Sequence, residues 1–200
     1  MTAKPPRFEF RCWPDAVDAH VGRLERRLAF GDTEARTDIY LLAPGRTDLM
    51  PKLRGGTVLE LKARLGTWGL LERWHPVVSD PFPLSAPSLT LLAGLFPDVD
   101  TSACASPDCL REALAGAADI RHVRKTRRKH TKNGLRAENT RAECDGRVHA
   151  SLAFECEDAG QLDGEIHALG LAGMANCNYA AALRDPSLFG FEHRQAERRF

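Results

Sequence analysis

"RHVRKTRRKHTKNGLRAENTRAECDGRVHASLAFECE", residues 121–157, decides the fold. Two dipeptides, Asn133-Gly134 and Asp145-Gly146, separate runs in which the side chains alternate in character. Asn-Gly and Asp-Gly suit the two-residue turns whose backbone twist matches a pair of antiparallel strands. The stretch therefore reads as three consecutive strands: the basic run 121–132, then 135–143, then 147–157. Successive side chains of a strand point to opposite faces. Lys125, Arg127 and Lys129 thus share one face, and Glu155 and Glu157 alternate with Phe154 and Cys156.

Moving upstream, the same alternation recurs. In "RFEFRCW" (7–13) Arg7, Glu9 and Arg11 share a face, with Phe8, Phe10 and Cys12 on the other. "TDIYLLA" (37–43), "MPKLR" (50–54) and "TVLELKARL" (57–65) are separated by "PGRTD" and "GG", which is turn chemistry, so they read as an antiparallel meander. Lys52 and Arg54 bracket Leu53, while Glu60, Lys62 and Arg64 alternate with leucines and Ala63. Residues 70–78 read as a further strand. Helices are inserted around these strands. Asp15 is the expected N-cap of one whose stripe is Val17, Val21, Leu24 and Leu28, stopped by Gly31 and Asp32. Another lies between Pro87 and Pro97, and a third opens on Ser106 with Pro107 at its first position. Residues 159–173 and 179–185 read as closing helices, and the tail 192–200 is polar.

Two hundred residues suit one domain, taken as 1–200. Apolar residues make up 43% of the chain and charged ones 28%, the balance of a soluble globular protein. The formal net charge is only +1, whereas a duplex-DNA binder carries a basic excess over the whole domain. The start lacks an apolar signal region, and no apolar run approaches a membrane span. The six cysteines form no CxxC pair, so reduced thiols and a cytoplasmic location are expected. The seven histidines lack the spacing of a helical zinc site.

A charged alternation on one strand is ordinarily a solvated sheet face. Across these strands it is less ordinary, because the polar positions are nearly all fully charged, with little Thr or Ser. Some strands carry mainly cations and the last carries paired carboxylates. If the sheet curls so that the charged faces converge, the apolar faces point outward, where helices can cover them. The interior is then a polar tunnel lined by both signs. Unpaired buried charge costs several kcal/mol per ion. Water, an anion and a divalent cation would relieve it, which is the character of a site for a highly charged ligand.

The order "KLR" (52–54), "LELK" (59–62), "VRKTR" (123–127) and "FECE" (154–157) resembles the CYTH, or triphosphate tunnel metalloenzyme, superfamily. That superfamily includes class IV adenylate cyclases, thiamine triphosphatases and inorganic triphosphatases. The resemblance implies an α+β fold: an eight-stranded antiparallel β-barrel, or tunnel, with flanking helices. It also implies Mg²⁺ or Mn²⁺ on carboxylates and Lys/Arg side chains gripping a triphosphate. Carried over by position, Lys52, Arg54, Lys62, Arg64, Lys125 and Arg127 are the implied substrate-binding cations, with Arg11 in place of the lysine of the family's N-terminal E-x-E-x-K strand. Glu9, Glu155, Glu157 and Glu143 are the implied metal ligands, with Glu138 as the alternative to Glu143, since the two lie on opposite faces of a regular strand. The sequence departs from the family at Arg7, which replaces the first carboxylate of that strand.

Three functions follow as expectations. The first is a metal-dependent phosphohydrolase acting on a triphosphate or polyphosphate, with a metal-activated water as nucleophile. The second, motivated by Arg7, is a non-catalytic polyanion binder on the same scaffold, needing little help from metal. The third is nucleic-acid binding through 121–132 as an exposed surface. The near-neutral net charge and the lack of interleaved aromatic residues speak against it.

Overall fold

The computed structural model describes residues 5–102 and 104–189; the polar tail 192–200 lies outside them. In chain order the strands are β1 (Arg7–Cys12), β2 (Ala29–Leu42), β3 (Leu49–Arg54), β4 (Val58–Trp68), β5 (Leu71–Pro81), β6 (Asp119–Lys132), β7 (Leu135–Cys144) and β8 (Arg147–Cys156). The helices are α1 (Val17–Arg27), α2 (Ala86–Leu95), α3 (Pro107–Ala113), α4 (Ala159–Ala168) and α5 (Tyr179–Arg184). The strands close into one barrel in the order β1-β5-β4-β3-β2-β6-β7-β8, with β8 pairing back onto β1. Every pairing is antiparallel.

The two turns that anchored the reading behave as their sequences require. Asn133 and Gly134 have φ of 48° and 82°, and Asp145 and Gly146 have 52° and 72°. Left-handed backbone at both central residues is the hairpin geometry that Asn-Gly and Asp-Gly tolerate. Other boundaries moved. β2 begins at Ala29 rather than at residue 37, and Gly31 and Asp32, read as a stop, sit within it beside a bulge between Phe30 and Thr33. A glycine at such a bulge lets the strand bend without ending it. The N-cap of α1 is Ala16, not Asp15, and no side chain caps that end. α4 stops at Ala168 instead of running to residue 173; Gly170, at φ +71°, takes the left-handed turn that ends it. Ser106 caps α3 as expected, accepting from the Cys109 amide, with Pro107 following.

Alternation sends apolar residues to the outside of the barrel, and helices cover them there. α1 and α4 pack Leu24, Leu28, Leu162 and Ile166 over Phe10, Leu152 and Phe154. α2 and α3 pack Leu92, Leu95 and Leu110 over Ile39, Leu41, Leu53, Leu59 and Leu61. Each such side chain, fully buried, contributes about 1.5–3 kcal/mol. A third cluster fills one end of the barrel. There Tyr179, Ala182 and Leu183 of α5 meet Trp13, Tyr40, Met50, Trp74 and Val123. On the outer face of β6 and β7, His122, Arg124, Thr126, Arg128 and Arg141 stand exposed, with Glu25 of α1 reaching Arg128. No helix among the described residues is long and apolar enough to cross a membrane, and none of the cysteines forms a disulfide.

Candidate functional site

The inward faces of the strands enclose a cavity of about 1210 Å³. Along its wall, Lys and Arg outnumber Asp and Glu. Low-dielectric walls with an excess of one sign concentrate the opposite charge, so the lumen attracts anions. The ion pairs inside are organised around buried carboxylates.

Asp38 of β2 has no solvent exposure. It accepts from Lys125 Nζ at 2.8 Å, from Arg36 Nε at 2.9 Å and from the Gly55 amide at 3.3 Å, with Lys52 Nζ at 3.8 Å. Burial opposes ionisation of this carboxyl, but Lys125, Lys52 and Arg36 outweigh it and hold the group well below the usual carboxylate range. Lys125 also donates to the Tyr40 hydroxyl at 2.8 Å and lies 3.9 Å from the centre of the Tyr179 ring. Burial pulls its ammonium well below the ordinary lysine value, against the pull of Asp38. Lys52 is lowered by burial in the same way, and pairs with Glu60 at 3.2 Å.

Glu138 of β7 is the second centre. Arg11 Nη2 donates to it at 2.6 Å, Arg127 Nε at 2.8 Å, and Arg127 Nη2 as well. Burial again opposes its ionisation, and the guanidinium groups of Arg11 and Arg127 outweigh that and keep the carboxyl far below its ordinary value. Arg11 also donates to Ser151 Oγ at 2.6 Å and stacks over Tyr179 at 4.4 Å. Glu34 is the third centre, near Arg36 Nη1 at 2.5 Å, Arg127 Nη1 at 3.2 Å and Lys129 Nζ. Burial is outweighed there by Lys129, Arg36 and Arg127, and its pKa falls to about 2. Arg54 pairs with Glu60 at 2.9 Å.

On the β1 wall the register brings three carboxylates into one row. Glu9 lies opposite Glu155 of β8 and opposite Glu72 of β5. Like charges directly opposite repel, and each has its own cation. Lys62 Nζ stands 2.5 Å from Glu9, Arg136 Nη1 3.1 Å from Glu155, and Arg64 Nη1 2.7 Å from Glu72. Arg7 pairs with Glu157 at 2.7 Å, and its Nη1 is buried without a hydrogen-bond partner among the described residues. An unpaired buried donor costs about 1–3 kcal/mol.

The residues expected to bind substrate are thus mostly brought together. Arg11, Lys52, Arg54, Lys62, Lys125 and Arg127 all line the cavity. Arg64 shares their strand face but is held by Glu72 beside a bulge in the β4–β5 pairing, and does not line it. Of the expected metal ligands, Glu9 and Glu155 reach the lumen. Glu143 does not: it lies on the outer face of β7, paired with Arg124 across the register, and Glu138 is the residue that points inward. Glu157 does not either, because β8 ends at Cys156 and its half-exposed side chain turns to Arg7 at the rim. Glu34, Arg36, Asp38 and Glu72 were not foreseen.

Closed topology, helices on the outside and a doubly charged lumen place the chain in the fold class of the CYTH-type, triphosphate-tunnel barrels. Solved structures sharing this fold include a putative adenylyl cyclase from Hippeastrum, HpAC1, described as revealing a dominant triphosphatase activity. It has a TM-score of 0.56 and 14% identity, over 90% of this chain and 95% of that one. A conserved hypothetical protein from Pyrococcus furiosus aligns at a TM-score of 0.53 with 13% identity, over 87% and 98% of the two chains. The PH1012 protein of Pyrococcus horikoshii OT3 aligns at 0.51 with 13% identity, over 82% and 90%. These likenesses are of fold. No protein-family model matches the sequence, and no curated protein matches it.

The fit of a divalent ion can be tested on the donor set. Carboxylate oxygens are the right chemistry for Mg²⁺ or Mn²⁺. Among the described residues, however, no three Asp, Glu, His or Cys side chains group as a metal site. Asp38 and Glu138 are consumed by buried cations, and a lysine ammonium already stands against Glu9. A resident ion does not fit this arrangement.

Proposed function

We propose that the tunnel binds a polyphosphate-type anion, such as inorganic triphosphate or the triphosphate of a nucleotide. The observation that carries this reading is the convergence of Lys52, Arg54, Lys62, Arg127 and Lys129 on one cavity in which cations outnumber carboxylates. Planar guanidinium forks match phosphate oxygens two at a time, and ammonium groups act as point charges beside them. The carboxylates preorganise the cations: Glu138 fixes Arg127 from one side and Glu34 from the other, so the fork is oriented before any ligand arrives. Preorganised donors avoid the ordering cost of binding. The aromatic cluster under α5 gives the lumen a filled base against which the anion is held.

Hydrolysis of the bound triphosphate is the second reading, favoured by the facing pair Glu9 and Glu155. Mg²⁺ is often held by one or two carboxylates together with substrate phosphates. On that reading these two residues receive an ion that arrives with the substrate, and it supplies charge neutralisation at the phosphates. The chain's own part is to grip the phosphates with Arg54, Arg127 and Lys129. Isothermal titration of the full chain with inorganic tripolyphosphate tests the binding reading: saturable heat is expected, and none from the folded protein would overturn it. Orthophosphate release in the same samples, with and without Mg²⁺ or Mn²⁺, decides between binder and hydrolase.

A further inference from the structure

The β1 wall holds an arrangement that bears on what accompanies the anion. Glu9 and Glu155 face one another across the β1–β8 register, the placement two carboxylates need to share a divalent cation. Each already has a cation, Lys62 on Glu9 and Arg136 Nη1 at 3.1 Å on Glu155. Lys62 Nζ is 2.5 Å from Glu9 and in electrostatic contact with Glu155 and Glu60 as well. Two residues along on the same face of β1, Arg7 places a guanidinium beside this wall, paired with Glu157 at the rim. Its Nη1 is buried with no hydrogen-bond partner among the described residues, and the side chain lines the cavity, where an anionic ligand could meet it.

We infer that the tunnel takes its polyphosphate free of metal, with the Lys62 ammonium held on Glu9, the Arg136 guanidinium on Glu155, and Arg7 adding a further fixed positive charge beside them. This rests on the anion-binding reading above and names the form of the ligand. The electrostatic logic is direct. A divalent ion entering this wall must displace an ammonium from an acid pair and approach a guanidinium, and both repel it. A bare polyphosphate meets the cations it needs.

Titration of the wild-type full chain with inorganic tripolyphosphate, once in EDTA and once in excess Mg²⁺, reads this directly. The expected result is binding in EDTA that is weakened in excess Mg²⁺, because Mg²⁺ competes with the tunnel for the free polyphosphate. Binding that appears only with Mg²⁺ overturns the metal-free inference and leaves the anion-binding reading standing. No binding in either buffer, by protein shown to be folded, overturns the anion-binding reading and this inference with it. A second measurement uses Mn²⁺ alone, followed by electron paramagnetic resonance. The wild-type protein is expected to bind no Mn²⁺ tightly, whereas Lys62→Gln combined with Arg136→Gln, which frees Glu9 and Glu155, gains a Mn²⁺ site. Tight Mn²⁺ binding by the wild type that is lost in Glu9→Gln would contradict the proposal. For Arg7→Glu, a loss of at least about ten-fold in EDTA with partial recovery in Mg²⁺ is expected. An unchanged affinity in EDTA would remove Arg7 from the account.

Discussion

On the inner face of β6, Lys125, Arg127 and Lys129 share Asp38, Glu138 and Glu34 in a network out of reach of bulk water at its centre. On the outer face of the same strand, Arg124 and Arg128 stand in solvent, each with a single carboxylate partner, Glu143 and Glu25. Residue types are nearly the same on both faces, and the spacing is identical. What differs is the surroundings. Inside, each cation was moved from water to a wall where only a carboxylate or a ligand can compensate it; outside, water does so. An exposed ion pair is worth about 0.2–1 kcal/mol, whereas breaking one member of a buried set costs about 3–5 kcal/mol. One strand therefore carries a buried charged wall and a solvated surface, told apart only by which side the barrel closes upon.

The largest effect that would sharpen this contrast is expected from Asp38→Ala. The change leaves Lys125, Arg36 and Lys52 around an empty centre, and urea denaturation should report a loss of about 3–5 kcal/mol. A loss below ~1 kcal/mol would mean that the inner network is solvated like the outer one.

Acid should separate the faces next. Glu34, Asp38 and Glu138 have folded-state values below their unfolded ones, so their contribution is present above the ordinary carboxylate range and is lost as pH falls through the folded values. For Glu34 that window runs from 4.5 down to about 2. His130, on the outer side of β6 beneath Phe30, moves the other way in pH. Burial lowers its value from 6.5, with Arg128 adding to that and Glu25 opposing it, so protonation favours the unfolded chain. Stability should begin to fall as pH drops below 6.5 and fall again below 4.5. His130→Phe should reduce the first decline, to which half-buried His20 also contributes, and leave the second. A single decline unaffected by that substitution would break the assignment.

The smallest effect belongs to the surface pair. Arg124→Ala or Glu143→Ala should shift stability by no more than about 0.5 kcal/mol, and by less in high salt. A shift of several kcal/mol would show that the outer face is covered in solution.

The same comparison explains what the sequence could reveal. Hairpin dipeptides set the parity of β6, β7 and β8, and parity put Lys125, Arg127 and Glu155 together. It would also have placed Glu138 inward, since Ala137 and Leu135 belong to the covered outer surface. Glu157 defeated parity because the strand stops one residue before it, and a side chain past the last pairing has no face. Glu34 and Arg36 were hidden by Gly31-Asp32, which has the composition of a stop but sits at a bulge, while Asp38 lay within the expected strand 37–43 but was not singled out. Read through that bulge, the alternation Glu34, Arg36, Asp38, Tyr40 is as regular as any in the chain. Pairing partners stayed illegible: nothing local tells Lys62 that it will meet Glu9 across the barrel, because that contact depends on closure and stagger of all eight strands.

The most direct test of the central claim sets the two faces of β6 against one another in a single experiment. Tripolyphosphate is titrated into the wild type, Arg127→Ala and Arg128→Ala, with each protein first shown to be folded. A tunnel that binds through its inner wall predicts a loss of about ten- to one-hundred-fold for Arg127→Ala and a change within about two-fold for Arg128→Ala. Equal losses, or a larger loss for Arg128→Ala, would contradict it and move the binding site to the outside of the barrel.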